Sequence, residues 1–271
     1  MLALESQVRG LAVTRLAPFG CVLDAPRPAS DFRSLPLPWL RELVAEHRVV
    51  VARGFALFDE APLVAYCRSW GPLLEWNFGV IFQLHEHEDP KNYLFTNSRV
   101  PLHWDGAFAA AVPSFQLFQC LDAPPIEAGG ETTFSDTVRV WDDASPEERA
   151  LWSRISITYG TEKVAHYGGR ITSPLVGKHP WLGRPTLRYA EPFDAETVRL
   201  NELSLEVHGL GREPEEAFFH ALHRALYDPR HLYAHRWRAG DILIADNHAL
   251  LHGRNGFHSR APRRLQRVHI L

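Results

Sequence analysis

The chain has 271 residues, 45% of them apolar and 23% charged, with a formal net charge of −3; this suits a globular protein with a sizeable core, and one domain over residues 1–271 is expected. The charge balance, with no Lys/Arg-rich run, excludes the electrostatic footprint of a nucleic-acid binder and points to a small-molecule partner.

In chain order, helices are expected over residues 39–47 and 63–70, with a short apolar strand over 49–52 between them. Further apolar runs over 93–96 and 114–120 read as strands, and Ala123-Pro124-Pro125 with Ala128-Gly129-Gly130 marks a substantial loop. Ser145-Pro146-Glu147-Glu148 supplies an N-cap, a proline at the first helical position and a capping-box glutamate, opening a helix that runs to about Ile155. After a strand over 186–189, Glu213-Pro214-Glu215-Glu216 opens another helix, with Phe218, Leu222 and Leu226 on one face before Asp228-Pro229 ends it. Strands over 241–245 and 265–271 complete a pattern that predicts a β-barrel or sandwich dressed with helices. Cys21, Cys67 and Cys120 are odd in number and fall in no C-x-x-C spacing, so reduced thiols are expected. Residues 1–10 lack the features of a secretory signal and no apolar stretch approaches 18 residues, which leads us to expect a cytoplasmic enzyme without membrane contact.

The chemistry concentrates in two segments. In Val100-Pro101-Leu102-His103-Trp104-Asp105-Gly106 a histidine and a carboxylate stand two apart in what reads as extended chain, so both face one side while Trp104 faces the other. A second imidazole from elsewhere would complete a 2-His-1-carboxylate facial triad, the ligand set of non-haem iron(II) oxygenases. With 15 histidines in the chain, about one H-x-D match arises by chance. The rival cluster His85-Glu86-His87-Glu88-Asp89 reads as a solvated acidic turn. The second segment, from Arg238 to Arg254, holds His248 and His252, and spacing alone does not choose between them. Downstream, period two puts Arg263, Leu265 and Arg267 on one strand face. Inward guanidinium groups need anions, and a carboxylate is a bidentate match; the alternative is an edge strand with solvated arginines.

His103-x-Asp105, the Gly129-Gly130-Glu131-Thr132 loop, the Asp246-Asn247 turn before His252-Gly253 and an arginine eleven residues after His252 together resemble the taurine/2,4-D dioxygenase family over nearly the whole chain. The resemblance implies a mainly β fold with a double-stranded β-helix (jelly-roll, cupin-like) core flanked by α-helices. It implies iron(II), 2-oxoglutarate and molecular oxygen as cofactor and cosubstrates, with His103, Asp105 and His252 as metal ligands and His248 a neighbour. Arg263, assisted by Thr132, then matches the holder of the cosubstrate's distal carboxylate. Arg267 matches a second pocket arginine that faces a substrate acid group, and Asn97 a polar residue on the substrate side.

Within the family, the chain is most similar to the isonitrile-tailoring oxygenases of the paerucumarin and rhabduscin type. The segments that carry this likeness are Val100-Pro101-Leu102-His103-Trp104-Asp105-Gly106, Ala165-His166-Tyr167, Tyr233-Ala234-His235-Arg236-Trp237-Arg238, Ile244-Ala245-Asp246-Asn247 and Arg267-Val268-His269-Ile270. That resemblance implies oxidation of tyrosine or tryptophan isonitrile to an α,β-unsaturated or vinyl isonitrile, and allows a homodimer. An aryl substrate needs an apolar pocket, for which Trp76, Phe78, Tyr93 and Phe108 are candidates, while Arg267, Arg170 and His166 are candidates for its carboxylate. A halogenase is set aside because Asp105 fills the position it would leave open. Two readings compete: a generic hydroxylase of a small sulfonate or amino acid, and a zinc hydrolase or non-catalytic metal-binding protein with no use for Arg263.

Overall fold

The computed structural model describes residues 11–164, 167–193, 200, 202–212, 214–258 and 260–271. Along the chain come β1 (Ala12–Arg15), β2 (Cys21–Asp24), helix α1 (Leu37–His47), β3 (Val49–Arg53), helix α2 (Glu60–Trp70), β4 (Ile81–Leu84), β5 (Val100–His103), β6 (Phe115–Asp122) and β7 (Thr132–Asp136). Helices α3 (Thr137–Asp143) and α4 (Pro146–Arg154) precede β8 (Ser156–Val164), β9 (Tyr167–Pro174), β10 (Val176–Lys178), β11 (Pro185–Leu187) and β12 (Ser204–His208). Helix α5 (Glu215–Leu226), β13 (Leu232–His235), β14 (Ile242–Asp246), β15 (Leu250–Arg254) and β16 (Arg264–Ile270) complete the order.

Two sheets form the double-stranded β-helix: a seven-stranded one in the order β1-β2-β3-β14-β6-β16-β4 and a four-stranded one in the order β13-β7-β15-β5. Side chains of consecutive strand residues point to opposite faces, and here each face has its own cover. Val49 and Val51 of β3, Phe118 of β6 and Leu243 of β14 point between the sheets, toward Phe134 of β7 and Leu250 of β15. Their neighbours Val50, Ala52, Leu117, Ile242 and Ile244 pack outward under Leu40 and Leu43 of α1 and Leu63 and Trp70 of α2. Both faces being covered, the runs at 49–52 and 242–245 are apolar at every position. Truncating a fully buried member such as Leu243 to alanine should cost about 2–5 kcal/mol. A third cluster backs the four-stranded sheet, where Leu102 and Leu251 meet Trp152 of α4, Phe218 and Leu222 of α5 and Tyr159 of β8.

The local signals hold where they are self-contained. Ser145 accepts from the Glu148 backbone N–H while the Glu148 carboxylate accepts from the Ser145 N–H, the reciprocal cap expected for α4. The expected strand at 93–96 is instead one turn of 3-10 helix, Tyr93–Phe95. The Asn92 side chain captures the Leu94 N–H at 2.9 Å, and the Tyr93 carbonyl accepts from the Thr96 N–H and hydroxyl, so local bonds replace a sheet partner. Gly129 belongs to the expected loop: its φ of +79° and the Gly256 carbonyl, which a Cβ would strike, both require glycine. All three cysteines are buried and free. Among the described residues, no helix is long and apolar enough to cross a membrane.

Candidate metal centre and adjoining cavity

β15 lies between β7 and β5, and its register sets His252 opposite His103 on one side and Phe134 on the other. The strand β5 ends at His103, so Asp105 reaches the same point from the turn that follows it, not from a continuing strand. Asn247 clamps that turn. Its side-chain amide donates to the carbonyls of Asp105 and Pro113 (3.1 and 2.8 Å), and its oxygen accepts from the Asp105 N–H at 3.2 Å. Gly106 must be glycine there, because φ is +92° and a Cβ would meet the Pro113 ring at 2.6 Å.

One ligand atom from each of His103, Asp105 and His252 lies within 4.8 Å of the others. His103 Nδ1 is 2.9 Å from the Pro101 carbonyl, an acceptor only, so Nδ1 carries the proton and Nε2 presents a lone pair. His252 Nε2 lies 3.3 Å from Arg267 Nη1, a donor only, and the two amide hydrogens of Gln116, 3.3 Å from His252 Nδ1, go to Asp105 Oδ2 and Asn247 Oδ1, so Nε2 presents a lone pair too. These atoms stand 3.7 and 3.6 Å from the Asp105 carboxylate. Acceptors facing acceptors at that spacing, with no hydrogen between them, suit a shared cation, and two neutral imidazoles with one carboxylate suit a divalent transition metal. The electrostatics agree. Burial lowers the pKa of both imidazoles, keeping them neutral. Burial would raise the Asp105 carboxyl, but the Arg267 guanidinium, helped by the His269 hydrogen bond, outweighs it and holds the group well below the usual carboxylate range.

Asp105 Oδ2 takes three donors: Gln116 Nε2 at 2.6 Å, His269 Nε2 at 2.6 Å and Arg267 Nη1 at 2.8 Å. Gln116 and His269 were not singled out from sequence for any role. Nothing in the pattern around Gln116 marks it, whereas His269 continues the inward period of Arg263, Leu265 and Arg267.

Arg263, four residues before Arg267, is also buried. Its Nε donates to the Gly130 carbonyl at 2.9 Å and its Nη2 lies 3.4 Å from the Thr132 hydroxyl. Gly130 makes room for it, since a Cβ there would press on Arg263 Cδ at 3.1 Å. Burial pushes the guanidinium down to about 10, and no carboxylate pairs with it among the described residues. Thr132 Oγ1 also accepts from the Trp237 indole N–H at 2.9 Å, so its own hydrogen must point to a further acceptor. A guanidinium lacking an anion and a hydroxyl lacking an acceptor, side by side, suit a carboxylate ligand.

A cavity of about 250 Å³ opens at the metal ligands, and His103, Asp105 and Arg267 help to line it. Its wall is mainly aromatic: Trp76, Phe78, Tyr93 and Phe108, as expected, together with Phe82 and Tyr159. Asn97 lies outside this wall, its backbone carbonyl accepting from the Phe257 N–H, and Asn92 supplies the amide instead. Arg170 is exposed and paired with Glu206, and His166 lies outside the described residues. His248 turns away from the centre, to Arg188 Nη2 at 3.1 Å. Arg254 of β15, unmarked by any motif, donates to the carbonyls of Leu94, Thr96 and Ser98 (2.9, 2.7 and 2.7 Å) and so pins the segment that carries part of the wall.

The chain is 52% identical over 260 residues to the 3-((Z)-2-isocyanoethenyl)-1H-indole synthase of Fischerella ambigua, covering 96% of this chain and 95% of that protein. It is 42% identical to the tyrosine isonitrile desaturase of Pseudomonas aeruginosa, covering 93% of this chain and 87% of the relative. The solved structure of PvcB, described as an Fe, alpha-ketoglutarate dependent oxygenase from an isonitrile synthetic pathway, superposes with a TM-score of 0.80 at 38% identity, covering 97% of this chain and 92% of PvcB. Residues 12–269 match the model of one family, and with these relatives they place the chain: it belongs to the taurine catabolism dioxygenase TauD, TfdA family.

Proposed function

We propose that this chain is an iron(II)- and 2-oxoglutarate-dependent oxygenase of secondary metabolism that oxidises an aromatic amino-acid-derived isonitrile, and that tryptophan isonitrile is its substrate. The observation that carries the reading is the convergence of His103, Asp105 and His252, the first two at the wall of an aromatic cavity, together with a buried guanidinium at Arg263 that has no carboxylate partner among the described residues. The relative at 52% identity is named for a product with an indole and an isocyanoethenyl group and no carboxylate, which favours a vinyl isonitrile formed with loss of carbon dioxide.

The residues divide the work. His103, Asp105 and His252 would hold the metal through two neutral imidazoles and one carboxylate. Bound iron, with 2-oxoglutarate and oxygen, supplies the two-electron oxidation. Arg263 and the Thr132 hydroxyl would hold the far carboxylate of 2-oxoglutarate. The aromatic wall would take the ring and exclude water, and Arg267, the one guanidinium lining the cavity among the described residues, would face a substrate carboxylate. His103, Asp105, His252, Arg263, Thr132 and Arg267 thus have assigned roles; Tyr93 and Phe108 contribute wall.

Mass spectrometry of the products from tryptophan isonitrile and tyrosine isonitrile tests this. Loss of two hydrogens together with carbon dioxide from the tryptophan substrate is expected. Gain of one oxygen would favour the generic hydroxylase, and absence of succinate with every substrate would favour a zinc hydrolase or metal-binding protein. We also propose a single domain over 1–271, acting in the cytoplasm as a homodimer without nucleic-acid or membrane partners, which light scattering and cell fractionation test.

A further inference from the structure

We propose that His269 is the positioning residue of the metal-binding carboxylate, and that Trp76, in the cavity wall, fixes the tautomer in which His269 does so. This rests on the reading above that His103, Asp105 and His252 hold a metal.

The argument follows the hydrogens. The Trp76 indole nitrogen only donates, and it lies 3.1 Å from His269 Nδ1, so Nδ1 is the acceptor. The neutral ring must then carry its proton on Nε2, which lies 2.6 Å from Asp105 Oδ2. A directed chain results, Trp76 to His269 to Asp105, linking residues remote in sequence. His269 is 1% exposed, so water does not substitute for either partner. Gln116 and Arg267 complete three donors on Oδ2, which leaves Oδ1 as the oxygen able to take a metal. The carboxylate is thereby turned so that one oxygen, Oδ2, is tied to the protein with His252 Nε2 3.6 Å from it, and the other, Oδ1, faces His103, 3.7 Å away. The packing favours the same arrangement: the Trp76 and His269 rings meet edge to face with centroids 5.4 Å apart. Because Trp76 lines the cavity, the wall against which a substrate ring would lie also sets the donor that aims the metal ligand.

Titrating the metal-free full-length chain with Co(II), followed by visible absorption, tests this without turnover. Loss of the Co(II) band in H252A ties the signal to the centre. H269L is expected to weaken Co(II) binding about 10- to 100-fold, the usual effect of removing a group that orients a metal ligand. H269Q, whose side-chain N–H can take the place of Nε2–H, should bind within about threefold of wild type, a rescue that packing alone does not predict. W76F keeps a ring in the wall but drops the N–H, and should weaken binding about three- to tenfold. Wild-type affinity in both H269L and W76F overturns the proposal, and so does H269Q as weak as H269L. Should H269L lose its cooperative melt, W76F decides alone, and unchanged affinity there overturns the proposal. A wild-type chain that takes up no Co(II) removes the metal reading itself, and the proposal falls with it.

Discussion

Arg263 and Arg267 stand four residues apart on the inward side of the same strand region, each 5% exposed, in opposite electrostatic settings. Arg267 faces the Asp105 carboxylate at 2.8 Å and lies over the rings of Phe82 and Phe118. Arg263 faces a carbonyl and a hydroxyl, and Phe257 lies under it. The first charge is answered from within the protein and helps hold a ligand in place. The second is left for an incoming anion. Two arginines on one strand thus serve different ends, and their neighbours, not their position in the strand, decide which.

That contrast can be broken by removing each charge in turn. In the metal-free protein, R267M leaves Asp105 as a buried carboxylate with neutral donors only, and should lower stability by about 3–5 kcal/mol in urea denaturation. Added divalent metal should restore much of that loss, since it supplies the missing cation. R263M removes a buried charge that has no anionic partner, so stability should stay within about 1 kcal/mol of wild type or rise. Its effect belongs to binding. The dissociation constant of 2-oxoglutarate should rise roughly 30- to 150-fold in calorimetry, the equivalent of about 2–3 kcal/mol of charge-assisted hydrogen bonding. Equal destabilisation by both substitutions would end the distinction. T132V should give a smaller effect at the Arg263 end, about fivefold on 2-oxoglutarate affinity for one neutral hydrogen bond.

A third arginine sharpens the comparison from outside the centre. Arg188 donates to a neutral imidazole, His248 Nδ1, at 3.1 Å. Burial, then the nearby Arg188 charge, lowers the His248 pKa from 6.5 to about 4. The folded chain therefore resists a proton that the unfolded chain accepts below 6.5, and this contribution, whole above that pH, is lost as pH falls toward 4. H248Q should flatten the fall of melting temperature over that window, a modest effect read by scanning calorimetry at several pH values.

The legibility of each feature followed the range of the interactions that create it. The cap at Ser145 and the 3.6-residue recurrence of Phe218, Leu222 and Leu226 depend on near neighbours, and both stand as expected. Strands β8 and β9, rich in polar residues and glycine, gave no apolar run to read, because they form an added sheet with β12 outside the main sandwich. The run at 93–96 was misleading because apolar content is common to a strand and to a capped turn lying over a cavity, and the Asn92 cap decides between them.

At the centre, residue type and spacing were enough to nominate His103 and Asp105, since an H-x-D pair carries two ligands of the right chemistry on its own. Choosing His252 over His248 needed either the family likeness or the fold: sheet register sets one beside His103 and leaves the other against Arg188. Period two announced that Arg263 and Arg267 share a face, yet it is blind to what lies across from them. The partners of Asp105 come from 11, 162 and 164 residues away in the chain. Composition and periodicity act along the chain over a few residues, and so could supply the ligand types and the strands that carry them. Which charge is neutralised, which awaits an anion and which oxygen of Asp105 remains free are set by groups that meet only when the two sheets close on each other.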